Sequence, residues 1–169
     1  MMKWLRPQHT VEFVTQIDIA HLQRQGIRGL LMDLDNTLVA WNSEILDHSI
    51  ERWIGEAKAS SLSLCMVTNA KPKRVHDIIE PLGIPYVALA RKPMLSGFRR
   101  ALKLLGTSPC ETAMIGDQVF TDVLGANMLG LYSILIQLPD PREQWWMKGT
   151  RKIERWVLKR HKPLTPSPE

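Results

Sequence analysis

At 169 residues, with 44% hydrophobic and 23% charged residues, the chain is long enough for one domain with a sizeable core and is neither disordered nor fibrous in composition. Its net charge of +5 is uneven: positions 142–162 hold eight Lys/Arg against two Asp/Glu, so the rest of the chain carries −1, and a general nucleic-acid-binding surface is not indicated. Cys65, in an apolar run, and Cys110, beside Pro109, are spaced for neither a metal cluster nor a disulfide framework, and both read as reduced thiols of an intracellular protein. No apolar stretch approaches the ~20 residues of a membrane-spanning helix. The N-terminus lacks a signal-peptide pattern, which predicts a cytoplasmic location.

Positions 1–25 read as an entry segment whose Trp4, Leu5, Val11, Phe13, Val14 and Ile17 cover a flank of the sheet. Asp18 is suited to cap a short helix that Gly26 closes. Strand 29–33 follows. Trp41 lies just beyond it, either facing a substrate or packed over the loop, packing being the commoner role of so large an apolar group. Ser43 is the expected cap of a helix over 44–60, with Leu46, Ile50, Trp53, Ile54 and Ala57 at helical spacing. Further strands are expected at 62–67, 86–90, 113–116 and 131–138, and further helices at 73–82, 96–105 and 120–129. Such alternation predicts an α/β fold with a parallel sheet. Three prolines in 163–169 mark a low-complexity end. The chain therefore divides into a domain over 1–141 and a basic, Trp-rich tail over 142–169.

The run Leu30-Leu31-Met32 stops abruptly at Asp33-Leu34-Asp35, as a strand buried on both faces does at its carboxyl end. Ligands of parallel sheets sit at those ends. On an extended chain Asp33 and Asp35 project toward one side, and two anions there call for a cation or a shared proton. None of the five histidines has a metal-ligand spacing.

Asp33-Leu34-Asp35-Asn36-Thr37-Leu38 after an apolar strand resembles the first motif of the haloacid dehalogenase-like phosphatases. Thr68-Asn69, Lys92-Pro93 and the stretch from Gly116 to Asp122 follow in that family's order, each at the end of an expected strand. Singly, each is equally compatible with a polar turn or helix start; four in order are not. Positions 26–39 and 116–125 are similar to the type IIIA branch, which includes phosphatidylglycerophosphate phosphatases. The resemblance covers roughly positions 5–139.

The resemblance implies a doubly wound three-layer sandwich with a five-stranded parallel sheet in the order 5-4-1-2-3. The intervals after the first and second motifs leave room for one helix each, so no cap domain is expected. It further implies Asp33 as nucleophile and Asp35 as general acid and base. Thr68, Asn69 and Lys92 would bind phosphate. The Asp33 carboxylate, the Asp35 carbonyl and the Asp117 carboxylate would hold Mg²⁺, with Asp122 orienting a bound water. Asn36 and Thr37 would shape the turn.

The expected activity is that of a Mg²⁺-dependent phosphomonoesterase acting through an aspartyl-phosphate, with phosphatidylglycerophosphate as substrate. A phosphatase of a soluble phosphometabolite and a non-catalytic interaction protein on the same fold are the alternatives. The tail carries Trp146, Ile153, Trp156 and Val157 at spacings compatible with one helical face, with basic residues beside them. Such a helix lies on an anionic membrane as a peripheral anchor or packs on the domain; the sequence allows both.

Overall fold

A computed structural model describes residues 2–41 and 43–137. The basic tail, the boundary at 141 and position 138 of the last expected strand lie outside the described residues.

Six parallel strands form one sheet: β1 (His9–Val11), β2 (Gly29–Met32), β3 (Ser63–Val67), β4 (Tyr86–Val87), β5 (Thr112–Gly116) and β6 (Tyr132–Ile136), in the order β1-β6-β5-β2-β3-β4. This corrects the expected five strands and their order: His9–Val11 is a strand, not merely a flank, and extends the edge beyond β6. It pairs His9 with Ile134 and Val11 with Ile136, and is continued by Gln8 N–H to the Ser133 carbonyl at 3.0 Å and Gln137 N–H to the Val11 carbonyl at 2.8 Å. An edge with unpaired backbone groups offers such a short segment its ladder whatever its own propensity.

Alternate strand residues feed two separate cores. Leu30 and Met32 of β2, Leu64 and Met66 of β3, and Ala113 and Ile115 of β5 pack into one. Leu31, Cys65, Val67 and Met114 pack into the other. The first core is covered by α1 (Ile19–Arg24), α2 (His48–Ala59) and α3 (Pro72–Ile79), which contribute Leu22, Trp53, Ile54, Ala57, Val75 and Ile79. The second is covered by α4 (Leu95–Leu105) and α5 (Leu124–Leu129), with Phe98, Ala101, Leu102 and Ala126. This is a three-layer α/β arrangement with helices on both faces. Gly106 and Gly130, at φ +70° and +77°, end α4 and α5 in the left-handed conformation. No helix among the described residues is long and apolar enough to cross a membrane.

Several boundaries differ from expectation. Asp18 does cap α1, its carboxylate accepting the His21 N–H at 3.0 Å. Ser43 does not cap α2. That helix starts four residues later than expected, behind Asp47, whose carboxylate accepts the Ser49 N–H at 2.8 Å. The helix expected over 73–82 is α3 followed by a 3-10 turn, Glu80–Leu82. The strand expected to reach 90 stops at Val87, because Leu89 and Arg91 hold positive φ, +47° and +55°. The helix expected over 120–129 is split into a π-helical turn, Val119–Val123, and α5. Among the described residues, the only helix between β2 and β3 is α2, and between β3 and β4 only α3 and the 3-10 turn intervene.

Candidate active site

Because all strands are parallel, the loops after β2, β3, β4 and β5 leave the same edge of the sheet. Asp33 continues the β2 ladder, its N–H donating to the Ile115 carbonyl at 2.9 Å. The chain then folds into a tight loop: the Leu38 and Val39 N–H groups return to the Leu34 carbonyl at 3.0 and 3.1 Å, and Asn36 takes φ +56°. Asparagine tolerates this conformation better than most residues. Its side chain donates to Asp117 Oδ2 at 3.2 Å and accepts the Trp41 N–H at 3.2 Å, tying the first motif to the fourth.

Asp33, Asp117 and Asp122 are all buried, and each offers a carboxylate oxygen within 4.8 Å of the others. Lys92, itself only 6% exposed, reaches into this group: its Nζ lies 2.7 Å from Asp33 Oδ1 and 2.6 Å from Asp122 Oδ1. Burial by itself would lower the Lys92 pKa, but the Asp122 and Asp33 charges outweigh it and raise the pKa above the usual lysine value. Burial raises the Asp122 carboxyl, against the pull of Lys92. The backbone of Lys92 is fixed by Asn69, whose side chain accepts the Lys92 N–H at 2.8 Å and donates to its carbonyl at 3.4 Å. Thr68 is buried at the end of β3, its hydroxyl oxygen accepting the Ala70 N–H at 3.2 Å. Asp122 hangs from the π-helical turn and accepts the Gln118 N–H at 3.1 Å. Gly116 makes room for it, since a Cβ there would overlap the Asp122 carboxyl group.

Asp35 stands apart from the cluster. It is paired with Arg74 of α3, whose Nη1 lies 2.8 Å from Asp35 Oδ1 and 3.0 Å from Oδ2, while Nη2 donates to the Ser43 carbonyl at 2.8 Å. Burial raises the Asp35 pKa, and Arg74 opposes that rise. Sequence reasoning missed Arg74. It lies 39 positions from Asp35 in no motif, and the available signal was its place in the first turn of the helix after the second motif. Trp41 is 44% exposed, so it is not the packed side chain expected of it.

All seven expected site residues thus meet at one edge of the sheet. Their charges decide what else fits. Among the described residues, four carboxylates, Asp33, Asp35, Asp117 and Asp122, share this edge with two cations, Lys92 and Arg74. The buried, all-oxygen set of Asp33, Asp117 and Asp122 suits a hard divalent cation, which the haloacid dehalogenase-like phosphatases use.

Residues 11–130 match the model of the haloacid dehalogenase-like hydrolases. The chain is 33% identical over 158 residues to "Probable phosphatase YqeG" of Bacillus subtilis, covering 94% of this chain and 92% of that protein. It is 25% identical to the chloroplastic/mitochondrial phosphatidylglycerophosphate phosphatase 1 of Arabidopsis thaliana, over 98% of this chain but only 52% of that protein. It is 28% identical to the mitochondrial phosphatidylglycerophosphatase GEP4 of Saccharomyces cerevisiae, covering 66% of this chain and 68% of that protein. Among solved structures, an uncharacterized protein from Listeria monocytogenes shares the fold at a TM-score of 0.57 and 18% identity, over 70% of this chain and 85% of that one. With the motifs gathered at one sheet edge and the family model spanning most of the domain, the chain belongs to the haloacid dehalogenase-like hydrolases, is similar there to the phosphatidylglycerophosphate phosphatases, and is a phosphatase.

Proposed function

We propose that the chain is a Mg²⁺-dependent phosphomonoesterase working through an aspartyl-phosphate on Asp33, and that its substrate is phosphatidylglycerophosphate. One observation carries the chemistry: a buried lysine holds Asp33 and Asp122 on one ammonium, 2.7 and 2.6 Å away, with Asp117 alongside. That arrangement aims a carboxylate at the open edge while setting positive charge where a phosphate's oxygens would gather.

These positions suit a two-step transfer. An Asp33 oxygen attacks phosphorus and the ester P–O bond breaks. Asp35 gives its proton to the departing alkoxide; burial, which raises its pKa, favours the protonated form this needs. Water then attacks the aspartyl-phosphate, Asp35 takes a proton back, and inorganic phosphate leaves with Asp33 regenerated. Lys92 offsets charge on the phosphate, the Thr68 hydroxyl and the Asn69 N–H bind its oxygens, and the Asn69 side chain positions Lys92. Asp33, the Asp35 carbonyl and Asp117 would hold Mg²⁺, with Asp122 behind them; the ion would shield the nucleophile from the anionic phosphate.

Support for the lipid substrate comes from the Arabidopsis and yeast relatives and from the short connections after β2 and β3, which leave the site uncovered by any inserted domain among the described residues. In this reading the protein works as a peripheral enzyme at the inner face of a membrane, and 142–169 is a basic appendage to the 1–141 domain. The test compares phosphatidylglycerophosphate with sugar phosphates and nucleotides, with and without Mg²⁺. The lipid should be strongly preferred, EDTA should abolish turnover, and Asp33→Asn should be inactive. Strong preference for one small metabolite removes the lipid assignment. Turnover in EDTA or by Asp33→Asn removes the mechanism.

A further inference from the structure

Four of the eight large apolar side chains exposed among the described residues fall on two loops, those leaving β2 and β4: Trp41 at 44%, Ile45 at 81%, Leu89 at 52% and Met94 at 58%. These loops leave the edge of the sheet that carries the site, and the loop after β3 runs between them. Hydrogen bonds tie these segments together: the Leu89 N–H donates to the Ala70 carbonyl at 3.1 Å, and Arg74, in the first turn of α3, reaches the Ser43 carbonyl at 2.8 Å. The loops after β3 and β4 and the first turn of α3 also expose Lys71, Lys73 and Arg91 and contain no acidic residue. The exposed acids of the rim, Glu44 and Asp47, both follow β2, and Asp47 is engaged in capping α2, while the partly exposed Asp35 is paired with Arg74.

These placements run against local stability. Lys71 and Lys73 stand at the N-terminus of α3, where the helix dipole disfavours cations. Leu89 and Arg91 hold a left-handed backbone that their Cβ atoms resist. Exposed apolar groups gain nothing from water. Apolar and basic side chains presented together fit a surface that is anionic at its boundary and apolar beneath.

We propose that this rim docks the site on an anionic bilayer. Trp41, Ile45, Leu89 and Met94 enter the headgroup boundary, and Lys71, Lys73 and Arg91 face lipid phosphates. The inference rests on the lipid-phosphatase reading above and adds the surface through which the substrate is presented. It makes no use of the basic tail.

The test is flotation of the full-length protein, without substrate, on phosphatidylcholine vesicles with and without phosphatidylglycerol. Two variants are compared with wild type: Ile45→Ser/Leu89→Ser/Met94→Ser and Lys71→Glu/Lys73→Glu/Arg91→Glu. Wild type should float with the anionic vesicles and be released by salt. Each basic residue near such a surface is worth about fivefold in partition, so the charge variant should lose at least ~100-fold. The apolar variant, stripped of about three methylene-sized groups at each of three positions, each worth about fourfold when fully buried, should lose at least ~100-fold. Both should still hydrolyse p-nitrophenyl phosphate as wild type does but fail on the vesicle-borne lipid. If the apolar variant does not fold, the charge variant, altered only at exposed positions, decides. Wild type that ignores anionic vesicles, or variants that float as wild type does, overturn the proposal. So does a wild-type dimer that the variants convert to monomer without change in flotation, which assigns the rim to a second copy of the chain. Normal flotation with no lipid turnover leaves the docking surface standing and removes the substrate reading instead.

Discussion

Adding one methyl group at Gly116 should disable the site more than it destabilises the fold. Gly116 ends β5, and a Cβ built there overlaps the Cβ, Cγ and Oδ2 of Asp122. Carbon atoms need about 3.5–4 Å, so the Asp122 side chain must retreat by about 1 Å. It has nowhere open to go: it is 1% exposed, Oδ1 sits on Lys92 at 2.6 Å and Oδ2 on the Gln118 N–H at 3.1 Å. Overpacking of this kind costs about 1–3 kcal/mol, or roughly 2–12 °C in Tm for a chain of this length. Displacing the partner of Lys92 by ~1 Å misplaces the charge that faces Asp33, and a shift of that size costs on the order of 10² in turnover. Gly55 is the matched control. It lies on the exposed side of α2 with nothing within 4 Å of its Cβ position, so Gly55→Ala should stabilise the protein by about 0.5–1 kcal/mol and leave turnover alone. Thermal melts and kcat on p-nitrophenyl phosphate at saturating Mg²⁺ measure both. Gly116→Ala with wild-type kcat and Tm would refute the packing argument and, with it, the role given to Asp122.

Arg74→Met should lower kcat by about 10–100-fold with little change in Tm, because Asp35 loses the group that orients it; Arg74→Lys should not restore activity, since an ammonium cannot span both Asp35 and the Ser43 carbonyl. Wild-type kcat in Arg74→Met would show that Asp35 needs no such partner. Asp47→Ala should cost about 1 kcal/mol in a denaturant titration, whereas Ser43→Ala should cost less, and the reverse ranking would place the start of α2 at Ser43. Burial pushes the Cys65 thiol up to about 12, so at pH 8 the native protein should release one equivalent in a thiol titration, from exposed Cys110, and two after denaturation. Rapid release of both from the native protein would contradict the packing of β3.

What the sequence made legible was what local pattern controls. Apolar runs of three or four residues mark β2, β3, β5 and β6, because a strand buried on both faces admits little else. The polar break after a run marks the edge where ligands bind, and the resemblance of four ordered motifs, each at an expected strand end, places Asp33, Thr68, Lys92 and Asp117 together there. Errors arose where a tertiary partner overrode the local signal. His9–Val11 is partly exposed and too short to announce itself, and it is a strand because β6 offers an open edge. Ser43 has the chemistry of a cap, but its hydroxyl accepts the Ile45 N–H and its carbonyl accepts Arg74, so it is held outside the helix.

The same distinction separates the donors of the site from the groups that aim them. A motif specifies which side chains reach the sheet edge, since strand ends and turns are local. It says nothing of what each side chain rests against. Asn36 read as a turn residue, which it is by its φ of +56°, but its amide also lies 3.2 Å from Asp117, 81 positions away. Asn69 read as a phosphate ligand through its N–H, and its side chain is spent on the backbone of Lys92, 23 positions on. Asp33 and Asp35 look equivalent in sequence, yet one faces a fully buried ammonium and the other a guanidinium at the rim. Two like carboxylates given unlike partners can take unlike tasks, one as nucleophile and one as proton carrier. In the proposed mechanism that division depends on Lys92, from the loop after β4, and Arg74, from the first turn of α3, so the three-layer fold would assign the roles that the Asp-x-Asp pair only makes available.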